Sequence, residues 1–371
     1  MQEPRLLYLS LETPREGQAI FTHVHEIIDG LRVLGWRVDL IATKGGGASS
    51  GSSYLGRLSD YVGTQWRLIR RLGDADAVFM RSHFAGLPAA LAARLRGVPV
   101  FQEINGRPED IFVTYSWLGW FGPLIRALYA WQMAMAAHVF VVTDGLKGWA
   151  QAASGHTRVS VVTNGANIHL FNPDGPPSPL AGRYVAFVGG LVRWHGVQTM
   201  IAARRQSAWP KDVRLVIIGD GVERRHLLDL ENDPGIHAPG RLPQDEAAAI
   251  LRGALAALCV IEDPEGRSST GVAPLKLFEG MACGVPVIVS ELPFQADLIR
   301  SQDAGLVIPV ADPAALASAV ADLAANAAEA RAKGLRGAAW VAENASWKKR
   351  AEEISAVMEP LLSRPRSAAR V

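Results

Sequence analysis

Cysteine is nearly missing from this chain: two among 371 residues, Cys259 and Cys283. Both lie in apolar runs, so buried reduced thiols are expected and a disulfide framework is not. A strong excess of one charge is also missing. Lys and Arg number 38 and Asp and Glu 36, a net charge of +2, which speaks against a general nucleic-acid binder. No apolar run reaches membrane-spanning length without a charge. The opening Arg5-Leu6-Leu7-Tyr8-Leu9-Ser10-Leu11 is too short for a signal-peptide core and reads as a strand, so a cytoplasmic protein is expected. No G-x-G-x-x-G follows that strand, which excludes the usual dinucleotide fingerprint. What is present is 49% hydrophobic and 20% charged residues, a globular composition over a length that suggests two domains.

Strands and helices alternate, and they do so twice. After the first strand comes a polar loop from Glu12 to Gln18 that contains Gly17. Ile20, Val24, Ile27, Ile28, Leu31 and Leu34 then repeat at helical spacing, and Gly35 ends the helix. Trp36–Ile41 is the next strand, which makes a βαβ unit of a doubly wound sheet. Lys44 to Ser53 reads as a glycine- and serine-rich surface loop and Tyr54–Leu72 as a helix. Ala77–Arg81 and Val98–Glu103 read as strands. Arg81, His83, Glu103 and Asn105 fall at or beyond their carboxyl ends, where open α/β sheets bind ligands; capping of the following helices is the other reading.

Two metal-like patterns read as structure. His23 and His25 are two apart on a helix and face different ways. Asp74-Ala75-Asp76 directly precedes a strand and reads as a solvated turn. Trp117 to Ala137 is long and rich in aromatics. It reads either as a buried core helix or as an amphipathic face at a bilayer surface. Asp174 to Pro179 is a stiff linker. The alternation restarts at Tyr184–Val188, and alanine-rich helices over 312–325 and 327–343 lead to a last helix from Ser346-Trp347 to about Leu362.

The most informative stretch is Glu262 to Ser290. Pro274 opens a short helix with Leu275, Phe278 and Met281–Ala282 on its apolar face. Gly284 stops it, and Val287–Val289 is a buried strand. Lys276 and Glu279 are three apart, on one face. The loop from Gly266 to Gly271 carries Arg267, Ser268, Ser269 and Thr270 and feeds the helix N-terminus, an arrangement suited to anions. This unit therefore offers a diphosphate cradle, a cation in Lys276, and a carboxylate in Glu279 for ribose hydroxyls.

Glu279-Gly280-Met281-Ala282-Cys283-Gly284-Val285-Pro286-Val287 resembles the signature of retaining, family 4 (group 1) glycosyltransferases of GT-B fold. Asn164-Gly165-Ala166-Asn167 with Phe171-Asn172-Pro173 is similar to that family's domain-junction element. Gly189-Gly190-Leu191-Val192-Arg193-Trp194-His195-Gly196 is similar to its diphosphate loop, with Gly190 and His195 where the family has arginine and lysine. The family's first motif glutamate falls on Gly271; Glu262, Asp263 and Glu265 are the nearby carboxylates.

The resemblance implies two Rossmann-like doubly wound domains facing across a cleft: 1–173 for the acceptor, 183–345 for the nucleotide sugar, and a crossover helix and tail over 346–371. It implies Glu279, Lys276 and Arg193 as catalytic residues. It places donor contacts at Gly17, Gly189, Gly190, His195, Gly219, Arg241, Leu242, Ser269, Thr270, Gly271 and Val272; Arg81, His83, Glu103 and Asn105, by their place at the strand ends, are the expected acceptor-side residues. No metal or cofactor is expected. The implied reaction moves a hexose from a UDP- or GDP-sugar to a hydroxyl of a glycan or lipid-linked acceptor, in surface polysaccharide or glycolipid synthesis. The alternatives are a nucleotide-sugar epimerase of similar fold, and a non-catalytic nucleotide-sugar-binding protein, which Gly271 favours. The aromatic stretch, Trp66 beside Arg67, Arg70 and Arg71, and the tail residues Arg364, Arg366 and Arg370 suggest peripheral attachment to the anionic inner face of a membrane.

Overall fold

The computed structural model describes residues 3–44, 54–109, 111–112, 116–228, 233–263 and 268–362. The loop 45–53, Glu265, Arg267 and the tail arginines lie outside the described residues. Contacts divide the chain into two compact units: Met1–Glu16, His23–Thr163 and Arg350–Val371 in one, Gly17–Thr22 and Asn164–Lys349 in the other.

The first unit is built on a six-stranded parallel sheet of order β2-β1-β3-β4-β5-β6. Its strands are β1 (Arg5–Ser10), β2 (Arg37–Ala42), β3 (Ala77–Arg81), β4 (Val100–Ile104), β5 (His138–Val141) and β6 (Val159–Val161). The connecting helices are α1 (Ala19–Val33), α2 (Tyr54–Arg71), α3 (Leu87–Leu95), α4 (Gly122–Met135) and α5 (Asp144–Ser154). The strands read as unbroken apolar runs because both faces are covered: Leu6, Leu7, Tyr8, Val78, Phe79 and Phe101 are almost fully buried. Burying one such side chain stabilises the fold by roughly 1.5–3 kcal/mol.

The Trp117–Ala137 stretch differs from the single helix expected. Ser116–Phe121 is a 3₁₀ turn, and α4 starts only at Gly122. Pro123 explains the break. Inside a longer helix it would lack an amide hydrogen and clash with the carbonyl four residues back; in the first turn it costs nothing.

The second unit repeats the plan, in the order β12-β11-β10-β7-β8-β9. Its strands are β7 (Arg183–Val188), β8 (Val213–Ile218), β9 (Ile236–Gly240), β10 (Ala256–Cys259), β11 (Val287–Ser290) and β12 (Gly305–Ile308). Its helices are α6 (Val197–Arg204), α7 (Arg225–Leu228), α8 (Gln244–Arg252), α9 (Leu275–Ala282), α10 (Gln295–Gln302), α11 (Pro313–Ala325) and α12 (Ala327–Asn344). Val185, Phe187, Leu215, Ile217 and Leu258 anchor the core. A last helix, α13 (Trp347–Met358), returns to the first unit, where Trp36 Nε1 donates to Ser355 Oγ at 2.7 Å.

In each sheet the strand order reverses once, between β1 and β3 and between β7 and β10. The crevice at the carboxyl ends of strands beside such a reversal is where open α/β sheets bind ligands.

Candidate functional site

Lys276 sits at the reversal of the second sheet. It lies in the first turn of α9, entered from Pro274 in an extended conformation. The apolar face of α9 is shifted from the expected one: Leu275 is half-exposed, while Lys276 and Leu277 are buried. The Lys276 Nζ has no hydrogen-bond partner and stands 4.2 Å from the centroid of the Phe187 ring, near the end of β7. Burial lowers the ammonium pKa to about 8, opposed by the charges of Cys259 and Glu279. Burial likewise pushes the Cys259 thiol up to about 12. A buried cation without a bonded partner is costly unless an anion comes to it.

Glycines keep the space beside Lys276 open. A Cβ on Gly189 would lie 3.2 Å from both Cε and Nζ of Lys276. Gly219 follows β8 and has φ +147°, and a Cβ there would fall 1.9 Å from the Gly189 carbonyl oxygen. The two loops are laced together by backbone bonds, with Gly189 N–H donating to Ile218 O and Leu191 N–H to Asp220 O, and Gly219 N–H donates to Gly240 O at the end of β9. Only glycine lets them approach so closely.

His195 lies beside this lacing. Its Nδ1 donates to the Gly190 carbonyl at 2.5 Å, and its ring is 6.1 Å from that of Phe187. With Nδ1 carrying a proton, the ring can donate to an anion through Nε2 only when doubly protonated. Arg193 is exposed on the same loop, and Glu279 is half-buried one turn along α9. Ser268, Ser269 and Thr270 form a 3₁₀ turn closed by Gly271 N–H donating to Ser268 O at 2.8 Å. Val272 forms an isolated bridge with Phe294. Gly17, which belongs to this unit by contacts, packs on the Arg241 side chain, and Leu242 is half-buried.

Two of the carboxylates near Gly271 hold the loop. Glu262 Oε1 accepts from Thr199 Oγ1 at 2.7 Å, and Asp263 Oδ1 accepts from the Ser268 amide at 2.7 Å. Glu265 lies outside the described residues.

The first unit carries a second polar cluster at the carboxyl edge of its sheet. Glu103 Oε1 is 2.5 Å from His23 Nε2, while Glu103 Oε2 accepts from Arg81 Nη1 at 3.3 Å and from Tyr8 Oη at 3.5 Å. The Arg81 guanidinium also reaches Glu12 at 3.5 Å. Burial alone would raise the Glu103 carboxyl; His23, Arg81 and a bond from Asn105 outweigh it and hold the pKa at about 2. His83 stands apart from this cluster. Its Nδ1 accepts from the Ala85 amide at 3.2 Å and its ring stacks on Phe84. Burial lowers its pKa to about 4, so near neutral pH it is an uncharged cap.

The sequence reading missed Phe187, Cys259, Tyr8 and His23 as members of these clusters. Phe187 carried one signal, its place two residues before a strand-end glycine. His23 carried none, because its partner is 80 residues away. Among the described residues no group of three or more metal-ligating side chains converges, and Asp74 and Asp76 bind Arg5 at the opposite edge of the sheet.

Two family models match. Residues 20–170 match Glycosyltransferase Family 4, and residues 182–326 match Glycosyl transferases group 1. A D-inositol 3-phosphate glycosyltransferase of Acidothermus cellulolyticus is 29% identical over 234 residues, 57% of this chain and 50% of that protein. An exopolysaccharide phosphotransferase of Streptomyces coelicolor is 28% identical over 204 residues, 52% of this chain and 20% of that protein. The chain thus spans half or less of the length of these curated relatives. Sucrose-phosphate synthase from Thermosynechococcus elongatus has a TM-score of 0.76 at 18% identity, over 97% of this chain and 99% of that one. Anabaena HepE, solved with UDP-glucose, gives 0.70 at 14% identity, over 96% and 99%. The fold is GT-B, and the chain belongs to the group 1, family 4 glycosyltransferases.

Proposed function

We propose that this protein is a retaining, metal-independent glycosyltransferase. It moves a hexose from a UDP- or GDP-sugar to a hydroxyl of a glycan or lipid-linked acceptor, in the synthesis of a surface polysaccharide or glycolipid at the inner face of the plasma membrane. The observation that carries the reading is Lys276: a buried ammonium without a hydrogen-bond partner, at the reversal of the sheet, beside two glycine loops. That is a site prepared for a diphosphate. The UDP-glucose bound by a neighbour of the same fold supports the donor class.

As the sugar C1–O bond to the diphosphate breaks, negative charge grows on the leaving oxygen and positive character on C1. Fixed cations at the diphosphate lower that barrier. Lys276 supplies one such charge and Arg193 another, on the loop that also carries His195. Ser269, Thr270, Gly271 and Val272 offer backbone to the phosphates, and Glu279 takes the ribose hydroxyls. Gly219, Arg241 and Leu242 flank the base, and Gly17 leaves room for the sugar. The acceptor oxygen bonds C1 on the face that the diphosphate leaves, and its proton passes to the departing phosphate oxygen. Arg81, Glu103 and Asn105 orient the acceptor, and His83 shapes their surroundings.

The test is a transfer and hydrolysis assay with a panel of UDP- and GDP-sugars, with and without EDTA. Turnover with retained anomeric configuration in EDTA is expected. Nucleotide-sugar binding without turnover would instead favour the non-catalytic reading that Gly271, in place of a carboxylate, supports.

A further inference from the structure

The helix layer on one side of the first sheet is oily on its outer surface. Helices α2, α3 and α4 follow β2, β3 and β4, whose right-handed crossovers all run toward β6 and so place the helices on one face of the sheet. α3 packs against both α2 and α4. Their inner surface is accounted for: Leu68, Ala89, Ala90 and Ala93 pack on Leu7, Leu9, Val78 and Met80. The outer surface of such a layer is ordinarily polar. Here α2 exposes Leu58, Val62 and Trp66 at successive four-residue steps, and α3 exposes Leu91 and Leu95 in the same way. α4 exposes Leu124 and Trp131, and the turn before it exposes Trp117, Trp120 and Phe121, with Trp120 91% accessible. Ten of the 14 large apolar side chains exposed among the described residues thus lie on this one layer.

Charge identifies what covers it. The segments 54–71, 87–95 and 116–135 hold six arginines and one carboxylate, Asp60. Arg57, Arg70, Arg71, Arg94 and Arg126 are exposed, although Arg126 also pairs with Glu109 at 3.4 Å. Arg67 is tied back to the Ala42 carbonyl at 2.8 Å. A second copy stacked on this face would set arginine against arginine. A bilayer with anionic headgroups satisfies both features at once, taking tryptophan and leucine at the acyl boundary and arginine at headgroup depth.

We propose that the outer face of α2, α3 and α4 is the surface by which this protein lies on an anionic lipid bilayer. The most exposed aromatics, 117–121, sit between β4 and α4, at the carboxyl edge that also carries Glu103 and Asn105. The polar cluster of the first unit is therefore carried at headgroup level. The inference rests on the lipid-linked acceptor of the proposed function for its purpose, but not for its evidence.

The experiment is co-sedimentation of the full chain, without donor, with vesicles of phosphatidylcholine alone and of equal parts phosphatidylcholine and phosphatidylglycerol. Binding to the mixed vesicles is expected to exceed binding to the neutral ones at least tenfold at low salt, and to weaken as salt rises. Two variants, Trp120→Ser with Trp131→Ser and Arg70→Glu with Arg94→Glu, should each lower it at least tenfold while leaving the urea unfolding midpoint unchanged. These positions are exposed, so both variants should fold. Equal binding to the two vesicle types, or unchanged binding by both variants, would overturn the proposal. A concentration-dependent dimer in sedimentation velocity that the tryptophan variant abolishes would overturn it in favour of a second copy. Failure of sugar transfer with vesicle binding intact would count against the proposed function alone.

Discussion

The Lys276 ammonium stands 4.2 Å over the Phe187 ring and makes no hydrogen bond. The ring face offers a cation about 2 kcal/mol or more when water is excluded. Burial nevertheless lowers the ammonium pKa to about 8, against the raising charges of Cys259 and Glu279. The ligand-free protein therefore stores an unfavourable charge at its candidate donor site.

Lys276→Met should make the ligand-free protein more stable while removing donor binding. The folded pKa lies below the ordinary lysine value of 10.5, so the unfolded chain binds the extra proton between those two values. Stability then rises with pH from about 8 to 10.5 in the parent. Below that window the lysine costs on the order of 3 kcal/mol, which methionine would recover. Urea denaturation at pH 7 and pH 10 checks this; a less stable variant at pH 7 would refute it.

Glu279→Gln should cut transfer sharply and leave the unfolding midpoint nearly unchanged. A charged acceptor for ribose hydroxyls is worth about 1.5–3 kcal/mol, roughly ten- to a hundredfold in kcat/KM. Full turnover in the variant would remove Glu279 from the site.

Gly219→Ala should damage fold and donor binding together. Its Cβ would collide with the Gly189 carbonyl at 1.9 Å, so one of the two loops must move. A loss of about 2 kcal/mol or more in stability is expected, read by thermal unfolding with and without UDP. Unchanged melting in both would refute the close approach.

Acid should weaken the first unit in two steps. His83 and His138 each have a folded pKa of about 4 against an ordinary 6.5, burial being the main cause. Their contribution is complete above pH 6.5 and is lost as pH falls toward 4. Glu103 is held at about 2 against 4.5, so its contribution is complete above pH 4.5 and lost as pH falls toward 2. His83→Asn keeps an acceptor for the Ala85 amide and should shrink the first step, leaving the part due to His138 and the whole second step, seen as stability against pH in urea. An unaltered curve would show that His83 is not one of its sources.

The alternation of strands and helices was legible because parallel strands covered on both faces leave apolar runs that glycine and proline punctuate; Gly35 and Gly284 close helices as expected. The break before α4 was not read, although Pro123 held the reason. Lys276 was read as a cation for a diphosphate, but its burial was not legible. Spacing three before Glu279 suggested a shared outer face, and only tertiary packing against Phe187 turns the lysine inward. The His23–Glu103 pair was hidden for the same reason: it depends on how β4 sits under α1, which local periodicity does not carry.

Trp36 and Ser355 belong to one compact unit yet are 319 residues apart. The chain leaves the first unit after Thr163 and rejoins it at Arg350. During synthesis from the N-terminus, Trp36 therefore stays without its Ser355 partner until the whole second unit has emerged, although all six strands of the first sheet precede that unit. All six strands of the second unit lie within its main segment, Asn164 to Lys349. A nascent chain stalled short of α13 should present its first unit as the part that proteases and chaperones recognise.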